Sequence, residues 1–153
     1  MEIKRIQATE ANLVTELFNQ YRIFYKQEPN IALAQKFIET RLTKDESVIF
    51  AAVIQSEDKT IPVGFTQLYP LYSSVRAVKN WILNDLYVMN KYRKKGIGEK
   101  LIKTAMGFAK ENGALFIQLE TSTDNYTAQK LYETIGFKES NPHQGSIVYR
   151  IAL

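Results

Sequence analysis

The sequence contains no cysteine, one histidine and one tryptophan. Without thiols there is no disulfide framework, no thiolate metal site and no cysteine nucleophile, and the redox compartment stays open. No run approaches the ~18 apolar residues of a membrane span. The start, "MEIKRIQATE", is charged and alternating and offers no apolar segment for a signal peptide. A cytoplasmic protein is the expectation. A formal charge of +4 is modest, and no long basic face with interleaved aromatics appears, so nucleic acid is not an expected partner. The lone histidine, His143, follows Asn141-Pro142 and reads as part of a surface turn.

What remains is ordinary in amount and informative in order. The 153 residues are 45% hydrophobic and 24% charged, which suits one domain, 1–153, with a proper core. "EIKRI" alternates and reads as a first strand. Thr9 is placed to cap a helix carrying Leu13, Leu17, Phe18, Tyr21, Phe24 and Tyr25 at helical spacing. Pro29-Asn30 interrupts it, and a second amphipathic helix follows with Ile31, Ala34, Phe37, Ile38 and Leu42 on one side.

"SVIFAAVIQ" and "IPVGFTQLYP", joined by the polar "SEDKT", predict a hairpin. "NWILNDLYVM" and "GALFIQLET" predict two parallel strands. Between them a helix of about 15 residues starting near Ile97 has the length of a crossover. Its stripe is Ile97, Leu101, Ala105, Phe108 and Ala109. A shorter helix, "NYTAQKLYETI", is stopped by Gly136, and "GFKE" and "SIVYRIAL" read as closing strands. The fold class is α/β with a mixed sheet, in the order β-α-α-β-β-β-α-β-α-β-β, with a parallel central pair.

"YRKKGIGEKL" stands between a strand and a helix. The first N–H groups of such a helix carry partial positive charge, and glycines at 96 and 98 let an anion approach the main chain. Lys91, Arg93, Lys94, Lys95 and Lys100 add cations, so a ligand with several phosphates fits. A P-loop would need Gly-x4-Gly-Lys-Ser/Thr, and a dinucleotide fingerprint would need glycine where Leu101 stands. Arg93-Lys94-Lys95-Gly96-Ile97-Gly98 instead satisfies Arg/Gln-x-x-Gly-x-Gly/Ala. "DNYTAQKLYETIGF" supplies a second pattern: Asn125, then Ala128, Leu131, Tyr132, Gly136 and Phe137.

With both patterns in this order, the chain resembles the GNAT N-acetyltransferases over nearly its whole length. The resemblance implies that acetyl-coenzyme A is the co-substrate, with no metal. It places Arg93, Lys94, Lys95, Gly96, Ile97 and Gly98 around the pyrophosphate. Leu86, Tyr87 and Val88 lie along the pantetheine arm on a strand that splays from its parallel neighbour, where main-chain groups polarise the thioester. Asn125, Ala128 and Tyr132 complete the cofactor set.

Acetyl transfer to an amine needs a proton for the departing thiolate, a donor for the carbonyl oxygen and a base for the amine. The resemblance gives the first task to Tyr132, which also reads as a core aromatic beside Leu131 and Ile135. For the base, many relatives carry Glu-Asp where this chain has Asn84-Asp85, so the glutamate is missing. Asp85 and Glu120 are the remaining carboxylates, unless the amine arrives deprotonated. Strand alternation sends Asp85 to the face opposite Asn84, so it is not a simple substitute.

Tyr21, Tyr25, Glu28 and Asn84 are the candidate acceptor-pocket residues. The expected function is transfer of acetyl from acetyl-CoA to a primary amine of a small molecule (polyamine- or amino-acid-like) or of a protein. The alternative is a non-catalytic coenzyme A-binding module. Relatives frequently dimerise, and a homodimer paired through "SIVYRIAL" is the expected assembly.

Overall fold

A computed structural model describes residues 1–140 and 149–152. The described chain divides into two compact units, Met1–Glu120 and Thr121–Leu153.

The first unit holds five strands: β1 (Glu2–Arg5), β2 (Val48–Ser56), β3 (Lys59–Ser73), β4 (Val78–Val88) and β5 (Ile117–Gln118). They form one sheet in the order β1-β2-β3-β4-β5. Every neighbouring pair is antiparallel except β4 and β5, which are parallel. The predicted hairpin closes at Ser56↔Lys59, with Glu57 at φ +54° in the turn.

The predicted helices α1 (Asn12–Phe24), α2 (Ile31–Thr43) and α3 (Ile97–Glu111) are all present. Their starts depend on small local bonds. Thr9 does not cap α1; it lies in a 3₁₀ turn over Ala8–Glu10, where the Gln7 N–H donates to the Glu10 carboxylate at 3.2 Å. Asn30 does cap α2, accepting from the Leu33 N–H at 2.9 Å, and its own N–H donates to buried Asn19 at 3.0 Å.

Alternation along β2 shows how the layers stack. Ile49, Ala51 and Val53 pack with Val14, Leu17, Phe18, Ala34 and Ile38 of α1 and α2. Phe50, pointing the other way, meets Phe108 of α3 at 5.7 Å between ring centroids, and Trp81 of β4 meets the same ring at 5.2 Å. Both faces of the sheet are therefore covered, which explains the unbroken apolar run of β2. The α3 stripe is buried as predicted at Ile97, Leu101, Ala105 and Ala109, with Ile102 added and Phe108 only half-buried.

The predicted strand "GALFIQLET" shrinks to two residues. Its entry is held by buried Asn80, whose side-chain oxygen accepts from the Leu115 and Phe116 N–H groups at 2.8 and 3.3 Å. A side chain thus takes main-chain donors that a longer ladder would have used.

The second unit contains α4 (Tyr126–Ile135), ended by Gly136 at φ +112° as expected. The expected strand Gly136–Glu139 is not formed. Of "SIVYRIAL", the described residues 149–152 carry no strand, and the rest of that segment lies outside the described residues, as does His143. Among the described residues no helix is long and apolar enough to cross a membrane.

Candidate active site

The turn after β4 first makes a 3₁₀ turn over Asn90–Tyr92 and then enters α3 through Gly96. Gly96 sits at φ +74°, and a Cβ there would meet nothing within 4 Å. Glycine is therefore required by conformation and not by crowding. The first helical hydrogen bond runs from the Lys100 N–H to the Gly96 carbonyl at 3.1 Å. The N–H groups of Ile97, Gly98 and Glu99 precede that ladder, and no side chain caps them. Lys94 and Lys95 are exposed, with Lys94 itself at φ +59°. Open main-chain donors with exposed ammonium groups fit a polyphosphate.

Arg93 departs from the expected ring of free cations. Its Nε donates to the Val88 carbonyl at 2.8 Å, and its guanidinium lies over Phe24 and Tyr87 at 5.7 and 5.6 Å. It braces the end of β4 against α1. The ladder between β4 and β5 pairs only Trp81 with Ile117 and Ile82 with Gln118, while β4 runs on to Val88. Leu86, Tyr87 and Val88 thus lie on a stretch of β4 beyond its pairing with β5.

A cavity of about 420 Å³ opens beside α1, α2, β3 and β4. Phe18, Tyr21, Arg22 and Tyr25 line it from α1, Leu33 and Phe37 from α2, Tyr69 from β3, and Asn84 and Asp85 from β4. Phe18 stacks on Phe37 at 5.3 Å, and Tyr21 meets Tyr25 edge-on at 4.9 Å.

Asn84 and Asp85 line the same cavity, which corrects the expectation from alternation. Gln67 of β3 pairs with Asp85 and Leu68 with Leu83, leaving Asn84 as an extra residue on β4. This is a β-bulge. In an unbroken strand Asp85 would share the face of Trp81, which packs on α3. The inserted residue turns it to the opposite face, and Tyr87 and Met89 then follow against the α1/α2 core. Side-chain hydroxyls support the bulge: Thr66 donates to the Asp85 carbonyl at 2.8 Å, and Tyr21 to the Asn84 carbonyl at 3.5 Å.

Asp85 is only 3% exposed. Gln67 Nε2 donates to one carboxylate oxygen and Asn84 Nδ2 to the other, the latter at 2.9 Å. Burial pushes its pKa up, and the Gln67, Asn84 and Tyr21 hydrogen bonds offset only part of that rise. Tyr21 and Tyr69 are pushed up as well, by burial first and by the Asp85 charge second, and stay protonated; the Tyr69 hydroxyl accepts from Gln67 Nε2 at 3.1 Å.

Two other expected residues of the first unit do not line this wall. Glu120 is exposed, just past the end of β5. The Glu28 carboxylate does not line the cavity; only its main-chain carbonyl is engaged, by Arg22 Nη1 at 3.3 Å. In the second unit, the Asn125 side chain caps α4 by accepting from the Ala128 N–H at 3.2 Å, and Tyr132 packs edge-on to Phe137 at 6.0 Å.

Arg22, Phe37, Tyr69 and Gln67 were not singled out from sequence. Phe37 was visible only as a helix-face residue. Gln67 and Tyr69 sat in an apolar strand whose partner register was unknown. Among the described residues no group of three or more His, Cys, Asp or Glu side chains could hold a metal ion.

Residues 11–137 match the sequence profile of the Acetyltransferase (GNAT) family. The chain is 41% identical over 139 residues to the uncharacterized N-acetyltransferase YhfO of Bacillus subtilis (strain 168), covering 91% of each protein. It is 27% identical over 138 residues to a probable acetyltransferase of Haemophilus influenzae, covering 90% of each. A crystal structure of a probable acetyltransferase superposes with a TM-score of 0.87 at 37% identity, covering 100% of this chain and 98% of that one.

Proposed function

From the premise that this chain belongs to the GNAT acetyltransferase family and is an acyltransferase enzyme, we propose that it moves the acetyl group of acetyl-CoA to the primary amine of a small molecule by direct attack. The observation that carries this reading is the buried Asp85 carboxylate in the wall of a cavity whose 420 Å³ suits a small ligand.

In this reading the turn Arg93–Gly98 holds the diphosphate through the N–H groups that open α3, with Lys94 and Lys95 adding charge. When bound, acetyl-CoA supplies an activated thioester carbonyl. The chain then does four things.

Its aromatic wall receives the acceptor and excludes water from it. Asp85 takes the amine proton. An alkylammonium has a pKa near ~10.4, and a carboxylate whose pKa is raised by burial is a stronger base than an ordinary one. Main-chain N–H groups of Leu86–Val88 face the carbonyl oxygen. Tyr132, from its place in the Asn125-to-Phe137 pattern, is proposed as proton donor to the departing sulfur, whose thiol pKa is about 8.5.

The test is release of free thiol from acetyl-CoA across a panel of small amines, with the acetylated product identified by mass. Wild-type protein should turn over, and Asp85→Asn should lower kcat by about 10²–10⁴-fold with the fold intact. A variant that keeps the wild-type kcat would remove Asp85 from the reaction.

A further inference from the structure

The cavity has one acidic and one basic residue in its wall: Asp85, and Arg22 on α1 between the cavity residues Tyr21 and Tyr25. Their surroundings differ. Asp85 is buried and held by two side-chain amides. Arg22 is half-buried, and the hydrogen bond it makes goes to a main-chain carbonyl, that of Glu28. Among the described residues no carboxylate pairs with it.

A guanidinium left without a counter-charge at the edge of an aromatic cavity repels a second cation and attracts an anion. Its planar fork suits a carboxylate in particular. The remaining wall is mostly ring surface, with Phe18 and Phe37 stacked on each other, beside Leu33 and the uncharged amides of Gln27 and Asn84.

Building on the acetyl-transfer reading above, we propose that the acceptor is an amino carboxylate: a molecule whose amine is directed to Asp85 and whose carboxylate is held by Arg22. Diamines and polyamines are disfavoured, because their second ammonium would meet Arg22 without a carboxylate partner. Amines within a polypeptide are disfavoured too, because the neighbouring carboxyl is an amide. The two charges of an amino carboxylate are thus read by two residues of opposite sign, and Arg22 sets specificity without touching the reacting atoms.

The experiment compares matched acceptors on the full-length protein. Each amino carboxylate is set beside its carboxamide and its decarboxylated amine. The series includes phenylalanine and ω-amino acids up to 6-aminohexanoate, with 1,5-diaminopentane as the dication. At one spacing or more, the carboxylate should exceed its partners in kcat/KM by about tenfold or more, the worth of one charge-assisted hydrogen bond.

Arg22→Gln should erase that preference through KM, and Arg22→Lys should keep part of it. The inference falls if carboxamides, simple amines or the diamine do as well at every spacing. It falls equally if Arg22→Gln depresses all acceptors alike; acetyl transfer would stand in both cases. If no acceptor turns over, calorimetry decides: Arg22-dependent binding of the carboxylates upholds the inference while the proposed reaction fails, and no such binding overturns both.

Discussion

Two regions flank the end of β4, and they are built from different material. The turn into α3 is main chain: a left-handed glycine at Gly96 and three uncapped N–H groups. The acceptor cavity is side chain: rings from α1, α2 and β3 around the Asn84–Asp85 bulge. Main-chain sites demand particular residue types at fixed spacing, because few residues tolerate the backbone. Side-chain cavities can be assembled from ordinary core residues, and what makes them sites is register.

The sharpest way to break this contrast is to crowd the turn. Gly98→Trp places an indole where the diphosphate is proposed to pass, and should weaken coenzyme A by about 100-fold or more, measured by calorimetry. The urea midpoint should barely move. Unchanged affinity would mean the turn does not hold the ligand.

A smaller effect comes from two glycines that are glycine for opposite reasons. At Gly64, on β3 opposite Val88, a Cβ would lie 2.9 Å from the Tyr87 carbonyl oxygen. Gly64→Ala must push β4 away and should cost about 2–3 kcal/mol in urea unfolding. At Gly96 space is free and only φ is wrong, so Gly96→Ala should cost about 1–2 kcal/mol. Equal losses would deny the distinction between crowding and conformation.

The same contrast explains what was legible in the sequence. The helix from Ile97 to Glu111 was readable in length and approximate start because Gly96 and Gly98 punctuate it and Leu101, Ala105 and Ala109 repeat on one face. Gly136 announced the end of α4 in the same way.

The bulge left no such mark. Asn84 is an ordinary polar residue in a strand, and nothing in "ILNDLY" says that Gln67 and Leu68 will skip over it. Alternation therefore sent Asp85 to the wrong face. The shortening of β5 was invisible for a similar reason, since it depends on Asn80, far away in the chain, capturing the Leu115 and Phe116 N–H groups. Nothing in the sequence around Arg22 marks it as a cavity residue.

An inserted strand residue turns Asp85 into the cavity, where burial raises its pKa and suits it to the proposed role of base. The direct measurement is the ratio of kcat/KM between wild type and Asp85→Asn as a function of pH, with one good acceptor so that the amine's own titration cancels. The ratio should be high and level at alkaline pH, then fall as Asp85 takes up its proton, at a pH above the ~3.9 of an ordinary aspartate. A ratio of one at every pH would contradict the account.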